Sequence, residues 1–179
     1  VIGRLGAGLD NIDLEAAKDA GVHVVFTPEA NTEATAQYCF AAALSAIRFI
    51  PQSNIDVKGG GWDRAYTGRD FRELTFGVIG YGRIGKRFSE LVRALGVSVV
   101  AWSRSEKPAE DGVKFMALEE VCKCADVLSL NVALNDETHH LVDMKFLNTM
   151  KETAILINAA RGGVVNLSLI HISEPTRPS

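Results

Sequence analysis

Three cysteines are too few, and too oddly spaced, to staple or metallate this chain of 179 residues. Cys122 and Cys124 stand two apart, which suits neither a CxxC redox pair nor a zinc knuckle, and Cys39 lies in an apolar run. Buried thiols in a reducing compartment are expected, with no metal and a cytoplasmic location. A basic excess is also lacking. Nineteen Lys+Arg against 22 Asp+Glu give a net charge of -3 without a basic stripe, so neither nucleic acid nor a membrane surface is an expected partner. Long apolar runs are missing too. The longest, around Tyr38 to Leu44, falls far short of the roughly 20 residues a membrane span needs. What remains, 47% hydrophobic and 23% charged, is the composition of a soluble globular protein.

The chain does not open on Met, and Val1-Ile2-Gly3-Arg4 already reads as the end of a strand. Further chain is therefore expected before Val1. A short helix (Asp13 to Ala20) and a β-branched strand (Val22 to Phe26, holding His23 as a structural residue) follow, then a break at Thr27-Pro28. From Thr32 to about Ile50, large apolar residues at helical spacing (Tyr38, Phe40, Leu44, Ile47) predict a buried helix closed by Pro51. Gly59-Gly60-Gly61 punctuates the chain. Beyond Thr75 strands and helices alternate. Strands are expected at Phe76–Ile79, Val97–Ala101, Val127–Leu130 and Ala154–Ile157, with helices at Ile84–Leu95, Leu118–Cys124 and Met144–Met150. That alternation implies an α/β fold, a doubly wound parallel sheet with helices on both faces. The last 13 residues leave this pattern. Their sequence resembles the translation of a DNA-sequencing-library adaptor, so residues 167–179 are expected to be foreign, and His171 and Glu174 are set aside as an acid/base pair.

Gly80-Tyr81-Gly82-Arg83-Ile84-Gly85 follows an apolar strand and opens a helix. In such a GxGxxG loop the first glycine permits the tight turn, the second lets backbone approach a pyrophosphate, and the third lets helix and strand pack closely. The helix N-terminus then offers free N–H groups to the phosphates. Between strand and helix, the motif points to a dinucleotide. The next strand should end on the residue that reads the adenosine ribose. Here it runs into Ser103-Arg104-Ser105, with no carboxylate before Glu106. A guanidinium between two hydroxyls suits a 2′-phosphate, so the cofactor is NADP or NAD, with NADP favoured. The strand before Asn158-Ala159-Ala160-Arg161-Gly162-Gly163 delivers Arg161 to the crevice where open α/β sheets bind ligands, and its planar fork suits a carboxylate.

Four segments stand in series: Gly3-Arg4-Leu5-Gly6-Ala7-Gly8-Leu9-Asp10-Asn11-Ile12-Asp13, Asn31-Thr32, the glycine loop, and Asn158 to Val165. In order and spacing they resemble the D-isomer-specific 2-hydroxy-acid dehydrogenases, of the phosphoglycerate dehydrogenase and glyoxylate/hydroxypyruvate reductase kind, over essentially all of residues 1–166. The resemblance implies that residues 1–30 are the remnant of a flavodoxin-like substrate domain. Residues 31–166 would then be a Rossmann-like NAD(P)-binding domain, incomplete at its C-terminal end. It implies hydride transfer between a nicotinamide and a small 2-hydroxy or 2-oxo acid, in a homodimer. Leu5 and Gly6 match backbone that holds the substrate carboxylate, and Ala7 lies beside the nicotinamide. Arg83 and Ile84 match pyrophosphate contacts, Val132 the adenosine side, and Ala159 and Ala160 the nicotinamide riboside. Arg161 matches the catalytic arginine that orients substrate. The chain departs from the pattern at Asn131, Ala133 and Ser103, where the family often has His, Pro and Asp. The family's proton-moving His and its orienting Glu fall after the arginine motif, where this chain stops short of them. The 179 residues alone are thus expected to be inactive. His139 and His140 match a loop before a helix and are no substitutes. Two other readings remain: a non-catalytic NAD(H)-sensing co-repressor-like protein of the same fold, and a formate-dehydrogenase-like enzyme, which the segment from Arg4 to Asp13 fits less well.

Overall fold

The computed structural model describes residues 1–105, 107–108, 110 and 112–169, so Glu106, His171 and Glu174 lie outside the described residues. Near the N-terminus, β1 (Ile2–Arg4) runs parallel to β2 (Val24–Phe26), with Ile2 opposite Val24 and Arg4 opposite Phe26. Helix α1 (Leu14–Asp19) joins them and starts where Asp13 Oδ1 accepts from the Ala16 N–H at 2.9 Å, satisfying one of the free donors of its first turn.

The larger sheet holds β3 (Thr75–Ile79), β4 (Ser98–Trp102), β5 (Val113–Phe115), β6 (Val127–Leu130) and β7 (Ile155–Asn158). Their spatial order is β5-β4-β3-β6-β7, and every neighbouring pair is parallel. The chain works outward from β3 through β4 to β5, then returns to lay β6 on the other side of β3. The winding reverses between β3 and β6, and such a reversal opens a crevice at the carboxyl ends of the strands. On one face α2 (Thr32–Ile47) and α4 (Arg83–Arg93) pack with Phe76 and Val78. On the other α5 (Leu118–Cys124) and α6 (Met144–Thr149) pack with Ile79, Leu128 and Leu130. Alternate residues of β3 thus serve opposite faces, as the two-residue strand repeat requires. Phe76 and Phe88 are wholly buried, each worth about 1.5–3 kcal/mol over exposure. Among the described residues no helix is long and apolar enough to cross a membrane.

Several local expectations need correction. Pro51 does not close the long helix. The break is at Phe49, in the left-handed region at φ 53, and Pro51 sits in the first turn of α3 (Ile50–Lys58), where its missing N–H leaves no bond unmade. Tyr38 is 67% exposed, while α2 turns Ala36, Cys39, Ala43 and Ile47 inward. Small side chains make this the packing face because α2 lies against α4. His23 is exposed just before β2, and only its carbonyl is used, accepting from the Ile2 N–H at 2.8 Å. Both α3 and β5 lie where no regular element was expected.

Candidate functional site

The register brings four loops to one edge. Ile79 lies opposite Trp102 and Leu130, and Leu130 opposite Asn158, so chain leaves the sheet side by side at Gly80, Ser103, Asn131 and Ala159. Three adjoining cavities follow that edge. One of about 480 Å³ is lined by Gly80, Gly82, Ser103, Arg104, Ser105 and Val132. A second of about 400 Å³ shares Asn131, Val132 and Ala133 with it and adds Ala7, Ile84, Ala159, Ala160 and Arg161. The third, a shallower hollow of about 610 Å³, shares Ala7, Gly8, Asp10, Asn31 and Arg161 with the second and reaches Arg4, Leu5 and Gly6. The result is one cleft running from Arg104 to Arg4.

The glycines of the loop differ in what a side chain would meet. Gly80 has φ 93, and a Cβ there would lie 2.7 Å from the Asn131 carbonyl oxygen. At Gly85 a Cβ would overlap the Gly80 carbonyl oxygen, so only glycine lets α4 come this close to β3. At Gly82 a Cβ would meet nothing within 4 Å. Its bareness serves no packing, and it leaves room for a group to approach the backbone. Gly82 also caps α4 with no side-chain bond, so the first N–H groups of that helix are open to an anion. A second sign of a missing partner is Asn131 Oδ1, buried between the first and second cavities with none, although Asn131 Nδ2 donates to Ser129 Oγ at 3.1 Å. Both features fit a dinucleotide with its pyrophosphate over α4. Tyr81 anchors the loop, its ring edge-on to Phe115 with centroids 4.9 Å apart. Burial, and then the nearby Glu110 carboxylate, push its phenol up to about 12, so it stays neutral. Arg83, the first residue of α4, is exposed and lines none of the three cavities.

At the outer end, Arg104 is not a bare cation: its Nη1 lies 3.3 Å from Glu137 Oε2. At the inner end, Arg161 Nε donates to Asp10 Oδ2 at 2.6 Å and its Nη1 to the Ala160 carbonyl at 2.9 Å. Gly8 makes this possible, since a Cβ there would overlap Arg161 Nη2. The loop after β1 is held from two sides. Arg4 donates from Nη1 to the Leu5 carbonyl at 2.5 Å and from Nε to the Gly8 carbonyl at 3.2 Å. A trans peptide sends its C=O and N–H in opposite directions. Gripping the Leu5 carbonyl therefore turns the Gly6 N–H outward, and it donates to Thr27 Oγ1 at 2.8 Å. The Gly6 N–H, expected to hold a carboxylate, has a protein partner here.

Every expected site residue except Arg83 and Gly85 lines the cleft. Sequence reasoning missed Gly8, Asp10, Thr27 and Glu137. Asp10 was visible as one of two acidic residues inside the N-terminal motif, whereas Thr27 and Glu137 carry no local signal. Among the described residues no histidine lines the cleft. His139 and His140 stack on each other, centroids 3.9 Å apart, and are exposed. No metal-ligand group of three or more His, Cys, Asp or Glu forms among the described residues.

Known proteins share this arrangement. Residues 40–171 match the model of the D-isomer specific 2-hydroxyacid dehydrogenase NAD binding domain. The chain is 37% identical over 177 residues to a glyoxylate reductase of Aeropyrum pernix, covering 93% of this chain and 53% of that protein. It is 38% identical over 170 residues to a D-3-phosphoglycerate dehydrogenase of Bacillus subtilis, covering 93% of this chain and 32% of that one. Among solved structures, the D-lactate dehydrogenase of Aquifex aeolicus complexed with NAD and lactic acid superposes with a TM-score of 0.86. Its identity is 31%, over 97% of this chain and 54% of that one. The chain thus spans between a third and about half of the curated relatives it matches.

Proposed function

The chain belongs to the D-isomer specific 2-hydroxyacid dehydrogenase family and carries its NAD-binding domain, and we propose that the whole protein interconverts a small 2-hydroxy acid and its 2-oxo acid. When bound, a nicotinamide dinucleotide supplies or accepts the hydride at the substrate C2. The residues of this chain position the partners. Gly80, Gly82, Ile84 and the N-terminus of α4 receive the pyrophosphate, and Ser103, Arg104, Ser105 and Val132 flank the adenosine side. Ala7, Ala159 and Ala160 flank the nicotinamide riboside. Arg161 is the catalytic residue. Its guanidinium stands where the two inner cavities meet, and its open edge grips the substrate carboxylate and draws charge towards the C2 oxygen. Leu5 and Gly6 add backbone N–H groups to the same carboxylate, Gly6 by exchanging Thr27 Oγ1 for it. The proton on the C2 oxygen is exchanged by a His–Glu pair of the whole protein, since among the described residues no histidine lines the cleft.

The single observation that carries this reading is Arg161, held by Asp10 at the inner end of a cleft whose outer half begins at the uncapped α4. Arg104 offers a cation to a 2′-phosphate, which favours NADP over NAD, and its pairing with Glu137 works against that preference. The protein works in the reducing cytoplasm, where Cys39, Cys122 and Cys124 stay free. It pairs as a homodimer through α3 and the segment after it. α3 buries none of its residues, and Ile55 and Trp62 are 72% and 81% exposed. Light scattering on the whole protein tests this, and a monomer would refute it. The activity is tested by absorbance at 340 nm with the product of the complete reading frame, NADH or NADPH, and glyoxylate, hydroxypyruvate or 3-phosphohydroxypyruvate. Turnover abolished by Arg161→Ala is expected. A protein without turnover that captures a partner in step with NADH would be a sensor instead.

A further inference from the structure

The arginine at the end of β4 is met by a carboxylate from across the cleft. Glu137 and Arg104 line the same cavity, and their side chains are 70% and 75% exposed. Such a pair contributes little to folding. Yet Glu137 does not sit on a loose loop. Asn135 Oδ1 accepts from the N–H groups of Glu137 and Thr138, both at 3.0 Å. Thr138 Oγ1 donates to the Ala133 carbonyl at 2.6 Å and accepts from the Asn135 N–H at 2.9 Å. The turn over residues 133–138 is therefore tied to itself, and it presents the Glu137 backbone at a fixed place over the adenosine side. Lys107 adds a second cation to the same wall.

We propose that Glu137 is a specificity-determining residue, which occupies Arg104 and so disfavours an adenosine carrying a 2′-phosphate while leaving one with a free 2′-hydroxyl unaffected. This rests on the reading that places the adenosine ribose beside Ser103, Arg104 and Ser105. A 2′-phosphate brings nearly two negative charges. To reach Arg104 it must displace the Glu137 carboxylate or lie within a few ångströms of it, and either costs affinity. An unphosphorylated ribose meets neither penalty. Because both side chains face water, the effect is screened by salt.

The test uses isothermal titration of the whole protein with two probes of the adenosine half, adenosine 2′,5′-bisphosphate and adenosine 5′-monophosphate. Glu137→Gln should tighten the bisphosphate by about 3- to 10-fold and leave the monophosphate within about twofold, with the gain shrinking at about 0.5 M salt. Arg104→Ala should weaken the bisphosphate alone. If Arg104→Ala does so but Glu137→Gln changes nothing, the inference about Glu137 fails and the cofactor reading stands. If Arg104→Ala leaves both probes unchanged, or the parent chain binds neither, the cofactor reading fails and takes the inference with it. Weaker monophosphate binding by Glu137→Gln would also overturn the inference, because Glu137 would then be holding the ribose hydroxyls itself.

Discussion

Replacing Gly8 with Ala should disable the site without unfolding the protein. The added methyl would overlap Arg161 Nη2 and lie 3.1 Å from both Arg161 Cζ and Asp10 Oδ2. Carbon and nitrogen need about 3.5 Å, so the guanidinium must withdraw by more than about 1 Å. Two interactions go with it. The bond to Asp10 is half-exposed, with side chains 41% and 49% open, and contributes at most about 1 kcal/mol. The grip on the substrate carboxylate is charge-assisted and worth about 1.5–3 kcal/mol, which is roughly a 10- to 150-fold loss in kcat/KM. Gly8 lies outside both buried clusters, so a thermal melt should move little. The assay is steady-state kinetics on the whole protein, with NADH affinity measured alongside. Wild-type kcat/KM in Gly8→Ala would show that Arg161 does not work from this position.

Other expectations follow from the same geometry. Gly85→Ala, by pushing α4 off the Gly80 carbonyl, should cost about 1–3 kcal/mol in a denaturant melt and weaken the cofactor as well. Asp126 is 6% exposed. Burial alone would push its pKa up, but the Thr75 N–H, Lys151 and Arg69 outweigh that and hold it below the usual carboxylate range. A folded-state pKa lowered in this way gives stability present above the unfolded value of about 3.9 and lost as pH falls through the lower folded value. Asp126→Asn should therefore lose about 1–2 kcal/mol at neutral pH, allowing for the half-exposed cations, and progressively less as the pH falls below the unfolded value; a loss that does not change with pH would refute the ion-pair role. The Cys122 thiol is pushed up to about 11 by burial and then by neighbouring Cys124. In the native chain a disulfide reagent at about pH 8 should label it more slowly than half-buried Cys124, and unfolding should remove the difference.

What could be read from the sequence was whatever depends on neighbours in the chain. The glycine loop was legible because its three glycines act on one turn and one helix start. β6 was legible because Val127–Leu130 is a short apolar run with no competing pattern. Proline was ambiguous at position 51, since it fits both the first turn of a helix and the residue after one. The inward face of α2 was misread because the helix packs through Ala36, Cys39 and Ala43, while hydrophobicity alone favoured Tyr38. β5 is three residues with Lys114 at its centre, too short to show alternation. The partners of the two arginines were hidden by distance: Asp10 lies 151 residues from Arg161, and Glu137 lies 33 from Arg104. Local pattern reports which residues are special, and only the fold reports what faces them.

The proposed dinucleotide site lies in this cleft, with the pyrophosphate over the start of α4. Gly82 tests it most directly, because a side chain there fills only open space within the protein and its extended backbone, φ -88 and ψ -163, accepts any residue. Titration of NADH into Gly82→Val and the parent chain, with melts of both, separates binding from folding. An unchanged melt and an affinity at least about tenfold weaker are expected, since the valine methyls would occupy the space of the phosphates. Equal affinity in the two chains would contradict that placement.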